Sequence, residues 1–139
     1  VLESTQWFNA LDISVETTWV SGVTDRAYGL TFGSSARGCY QFFISANGSY
    51  ILRKFNLTTG SETILVPWTR TPAIKSLFGT FAGQTILGKA LALWAIELEI
   101  NGIAVVGVSS GDFEFMGGTV GLLVSGVQRV RFDDLLAIR

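Results

Sequence analysis

Apolar and polar residues alternate along this chain in short segments, and nowhere does a helical period take over. That pattern narrows the possible folds more than any other feature. Leu11, Ile13 and Val15 alternate with Asp12, Ser14 and Glu16, and residues two apart share one face of a strand. Further strand-like runs are read at Tyr28–Phe32, Tyr40–Ser45, Tyr50–Phe55, Thr63–Trp68, Gln84–Leu93, Ala95–Ile100, Ile103–Val108, Gly117–Val124 and Val127–Ile138. Asn47-Gly48 and Asn101-Gly102 each sit between two such runs, the strongest short signal for an antiparallel hairpin. Pro67 and Thr71-Pro72 are read as closing the Thr63–Trp68 strand, and Ala73–Phe78 as one helical turn or an irregular crossing. Short strands at close spacing with Gly and Asn turns indicate a sandwich or barrel. The 139 residues are expected to form one domain, residues 1–139.

Composition removes several function classes. Charged residues make up 15% of the chain and its net charge is −1, so there is no electrostatic case for a nucleic-acid partner. The longest uninterrupted apolar run, Ala90–Ile96, is far short of the roughly 20 residues of a membrane-spanning helix. Histidine is absent; that excludes a Ser-His-Asp triad and a Cys/His metal cluster. Cys39 is the only cysteine, so no internal disulfide forms, and its strand setting reads as a small buried hydrophobe. Ordinary domains carry about 25% charge. The deficit here leaves two readings open: a surface built from Ser, Thr and Gly, or a surface partly covered by another chain.

The order of the segments resembles a known family. Phe8-Asn9-Ala10-Leu11-Asp12-Ile13-Ser14-Val15, Tyr28-Gly29-Leu30-Thr31-Phe32, Tyr40-Gln41-Phe42-Phe43-Ile44 with Gly48-Ser49-Tyr50, Ile96-Glu97-Leu98-Glu99-Ile100-Asn101-Gly102, Gly118-Thr119-Val120-Gly121-Leu122 and Phe132-Asp133-Asp134-Leu135 follow one another as in laminin G-like domains of the concanavalin A-like superfamily. The resemblance implies an all-β, concanavalin A-like antiparallel β-sandwich (jelly roll), and an extracellular or cell-surface module. Two departures stand out. Only Val1–Gln6 precedes the first matching strand, where the family usually has more, so the closing strand is expected to keep an open edge. The family's usual glycine turn is replaced by Leu93-Trp94-Ala95.

Candidate sites follow from these patterns. Trp19, Trp68, Tyr40 and Tyr50 are the aromatics taken as candidates to stack on a sugar. Leu91, Leu93, Trp94, Phe132 and Trp7 are candidates for a contact with another copy, with Val1–Trp7 as a strand donor to the open edge. Asn47-Gly48-Ser49 and Asn56-Leu57-Thr58 fit the N-glycosylation pattern. Glu97 and Glu99 share a face about 7 Å apart and are the nearest approach to a glycosidase pair, but Gly102 stands where a third acidic residue would complete the pattern. No metal site is assigned; Ca²⁺ at Asp112 and Glu114, or at Asp133 and Asp134, is the one metal option. The reading is a non-catalytic module, with no cofactor, that binds a glycan or cell-surface ligand in adhesion. The alternative is a self-associating subunit of an extracellular filament, and a glycoside hydrolase ranks below both.

Overall fold

The computed structural model describes residues 2–3, 11–74, 84–91, 95–109 and 118–138, with side chains for 13–74, 99–105 and 118–135. Eleven strands occur in these residues and no helix: β1 (Leu2–Glu3), β2 (Leu11–Gly22), β3 (Tyr28–Ser35), β4 (Gly38–Ser45), β5 (Ser49–Asn56), β6 (Ser61–Arg70), β7 (Gln84–Leu91), β8 (Ala95–Ile100), β9 (Ile103–Ser109), β10 (Thr119–Val124) and β11 (Gln128–Ile138). They form two sheets, one six-stranded in the order β1-β10-β3-β4-β5-β6 and one five-stranded in the order β11-β2-β7-β8-β9. Every ladder is antiparallel. The chain is an antiparallel β-sandwich.

The core lies between the sheets and follows from alternation. Tyr28, Leu30 and Phe32 from β3, Tyr40, Phe42 and Ile44 from β4, and Tyr50 and Leu52 from β5 meet Ile13 and Val15 of β2 and Ile100 of β8. Phe32 stacks on Tyr40 with ring centroids 5.5 Å apart, and Phe42 meets Tyr50 edge-on at 6.4 Å; both geometries suit aromatic pairs. The buried tyrosines still need partners for their hydroxyls. Tyr50 donates across the core to the carbonyl of Val105 at 3.2 Å, tying the two sheets together. Tyr28 is fully buried, and that burial pushes its pKa up to about 12, against a smaller opposing pull from the Thr17 hydroxyl.

Both Asn-Gly hairpins form where expected. Asn101 and Gly102 both have positive φ, 53° and 79°, as a two-residue hairpin turn of this hand requires. Two strand limits differ from the reading. The alternation read at residues 11–16 belongs to a longer strand that runs on to Gly22. Pro67 does not end its strand, because β6 runs on to Arg70. The physical reason is that β6 is the outermost strand of its sheet, where a residue without an N–H is tolerated.

The open-edge expectation holds for β11, which borders its sheet and pairs only with β2 among the described strands. The proposed donor does not stand free, however. Leu2 and Glu3 pair with Leu122 and Gly121 of their own chain, so this part of the segment already serves an internal edge.

Candidate functional site

The same alternation that builds the core displays a second set of side chains on the outer face of the six-stranded sheet. Strand register places them in cross-strand rows. One row runs Leu123, Gly29, Phe43, Ile51. The next runs Gly121, Thr31, Gln41, Arg53, Ile64, and a third runs Cys39, Phe55, Glu62. Ala27, Phe43 and Ile51, with Leu123 against them, form a small apolar cluster separate from the main core. It makes a firm floor for what lies above.

Arg53 is the centre of that upper layer. Its guanidinium lies over the Phe43 ring, 5.3 Å from the centroid, a cation–π contact. Its Nε donates to Gln41 Oε1 at 2.6 Å, and its Nη1 donates to Glu62 Oε1 at 3.3 Å. Three contacts, two on β4 and one on β6, fix one planar group, which is how an arginine becomes a rigid donor surface rather than a loose charge. Arg53 and Glu62 are partly open, at 25% and 44% side-chain exposure. Their charges offset each other, so the patch offers adjacent donors and acceptors without a net field.

An apolar border adjoins it. Ile64 lies beside Arg53 in the ladder and is 54% exposed. Tyr50 pairs with Thr69 and Leu52 with Val66, so Pro67 and Trp68 both stand opposite Ile51, a β-bulge. Trp68 is 44% exposed. An exposed indole beside fixed polar groups is the arrangement expected where one face of a ligand is apolar and its rim is polar.

The sequence-derived candidates divide sharply. Trp68 is on the surface, as expected. Tyr40 and Tyr50 are not available to a ligand: Tyr40 is fully buried and Tyr50 nearly so, both facing the inter-sheet core. That corrects their assignment as stacking residues, and the cause is their phase in the alternation. Trp19 is half-buried against the same core and donates its Nε1–H to the carbonyl of Val23 at 3.2 Å, so it too is mainly a packing residue. Phe132, expected at a contact between copies, instead packs on the core, while Arg131 and Asp133 beside it are exposed and paired at 3.3 Å. Trp7, Leu93 and Trp94 lie outside the described residues, as do Asp112 and Glu114. Leu91 ends β7 opposite Ala95.

Among the described residues, no three His, Cys, Asp or Glu side chains converge, and no helix is long and apolar enough to cross a membrane. Glu99 is half-buried on the face of β8 opposite the buried Ile100; Glu97 holds a register position across from Lys89. Cys39 is half-buried rather than buried. The two sequons differ. Asn47 accepts a hydrogen bond from the Ser45 hydroxyl, and its backbone N–H donates to Thr24. Asn56 Oδ1 accepts the N–H groups of Thr58 and Thr59 at 2.9 and 3.1 Å in an exposed turn. Gln41, Arg53 and Glu62 escaped the sequence reading. For two of them a signal is present, since Gln41 lies between Tyr40 and Phe42 and Arg53 follows Leu52; Glu62, between Ser61 and Thr63, carries none.

No family model and no curated protein matches the sequence. Solved structures do match. The carbohydrate-binding module CBM66 from Bacillus subtilis superposes with a TM-score of 0.75 at 16% identity, over 97% of this chain and 78% of that one. Sheep galectin-11, solved in complex with glycerol, gives a TM-score of 0.65 at 7% identity, over 98% and 94%. The GH43 protein BlXynB from Bacillus licheniformis gives 0.58 at 14% identity over 94% of this chain, which spans only 28% of that protein. These likenesses establish the concanavalin A-like jelly-roll fold; at such identities they carry no residue roles.

Proposed function

We propose that this chain is a non-catalytic carbohydrate-binding module, and that its site is the outer face of β4, β5 and β6. The observation that carries the reading is the fixed Gln41–Arg53–Glu62 network, bordered by the exposed Trp68 and Ile64. A sugar presents hydroxyls on its rim and C–H groups on its face. The network supplies hydrogen-bond donors and acceptors for the first, and the indole supplies an apolar surface for the second. The fold shared with a carbohydrate-binding module and a galectin supports the reading. An extracellular or cell-surface setting, with adhesion as the use of binding, fits such a module and belongs to the same proposal.

Catalysis has less support. A glycosidase needs two carboxyl groups about 5–9.5 Å apart across a substrate. The outer-face network contains one, Glu62, already paired with Arg53. Screening the purified chain on an array of neutral and acidic glycans tests the proposal. Binding is expected, with Trp68→Ala weakening it about tenfold or more while the fold is kept. Binding that Trp68→Ala and Arg53→Ala leave untouched would place the site elsewhere.

A further inference from the structure

The edge strand β6 is self-complementary. It reads Glu62-Thr63-Ile64-Leu65-Val66-Pro67-Trp68-Thr69-Arg70, a near-palindrome of residue character about Val66 in which the two charged ends have opposite sign. β6 is the last strand of the six-stranded sheet, and its far side has no partner among the described strands. From these observations we infer that a second copy of this chain pairs with β6 edge to edge, antiparallel, about a twofold axis at Val66.

That axis sets every pair. Glu62 falls opposite the other copy's Arg70, Thr63 opposite Thr69, Ile64 opposite Trp68, and Leu65 opposite Pro67. Directly opposed residues on antiparallel strands share a face, and the internal register meets this condition for the two outer pairs, Glu62 with Arg70 and Thr63 with Thr69. Glu62 lies beside Phe55, and Arg70 beside Ser49, on the outer side; Thr63 and Thr69 lie beside Lys54 and Tyr50, in phase with the core side. The bulges fall on either side of Val66, so they too are related by the axis. With Val66 as a hydrogen-bonded pair, Pro67 falls in a non-hydrogen-bonded pair, where its missing N–H is not required.

The exposed groups suit this occupant. Ile64 and Trp68 are 54% and 44% exposed, apolar surface that such a pairing would cover. In the described structure Glu62 uses one oxygen on Arg53, and Arg70 uses one nitrogen on the Asn47 carbonyl, so both keep atoms for each other. A twofold contact of this kind closes on itself and gives a dimer, not a filament. It would join two six-stranded sheets into one and set two outer faces side by side, with Glu62, Ile64 and Trp68 of both copies along the seam.

Sedimentation equilibrium over a wide concentration range, with circular dichroism as the fold control, tests this. The wild-type chain is expected to dimerise. Glu62→Lys and Arg70→Glu, each alone, oppose like charges twice across the axis and are expected to weaken the dimer about tenfold or more. An equimolar mixture of the two variants pairs opposite charges at both positions and is expected to restore association. A wild-type chain that stays monomeric, variants that dimerise as wild type does, or folded variants whose mixture stays monomeric would each overturn the inference.

Discussion

The two faces of the six-stranded sheet are made by the same strands, yet they do different work. On the inner face, Tyr28, Leu30, Phe32, Tyr40, Phe42, Ile44 and Leu52 are fully buried and meet the second sheet. On the outer face, one position along, Gln41, Arg53 and Glu62 hold one another above a small apolar floor. The inner face gains free energy from area removed from water, at about 25 cal/mol per Å². The outer face gains little from its partly open ion pair, about 0–1 kcal/mol. Such a network contributes position rather than stability, as expected of groups kept for a ligand.

The largest expected effect is a cavity in the inner face. Phe42→Ala is expected to cost about 3–5 kcal/mol in denaturant unfolding. Phe43→Ala, next in sequence but on the outer face, tests how much of that face is floor. It should also be strongly destabilising, since Phe43 is fully buried, and it should in addition loosen Arg53, which rests on it. A Phe43→Ala chain as stable as wild type would show that the outer cluster is not a second core.

A smaller effect reads the inner face by pH. The Tyr28 hydroxyl has its pKa pushed from 10.0 to about 12 by burial. The folded state therefore holds this proton more tightly than the unfolded state does. The contribution is fully present below pH 10, and stability falls as pH rises from 10 through about 12, by about 2–3 kcal/mol in all. Tyr28→Phe should flatten this alkaline slope. An unchanged slope would mean that the hydroxyl is not desolvated as described.

The smallest expected effect on stability is on the outer face, where Arg53→Gln or Glu62→Gln should change it by about 1 kcal/mol or less. A loss as large as that of Phe42→Ala would erase the distinction between the faces.

The fold was legible because its signals are local. Asn47-Gly48 and Asn101-Gly102 name their turns, and alternation names the strands. Pro67 was misread because a proline excludes a central strand but not an edge, and edge position depends on sheet order. Tyr40 and Tyr50 were misplaced because hydroxyl-bearing aromatics suggest a ligand, whereas their phase with Phe42 and Leu52 puts them inside. The site was the least legible part. Arg53 meets Gln41 and Glu62 only through the β4–β5 and β5–β6 registers, and two bulges shift the second. Local patterning does not specify those shifts.

The central claim, that the outer face of β4, β5 and β6 takes carbohydrate, is tested most directly by NMR. A glycan that binds on the array would be titrated into the isotopically labelled chain while backbone and indole N–H signals are followed. The account predicts shifts concentrated at Gln41, Arg53, Glu62, Ile64 and the Trp68 indole, with Glu99 and the inner-face residues of β2 little changed. Shifts centred instead on the five-stranded sheet around Glu99, with the Arg53 and Trp68 signals unmoved, would contradict it.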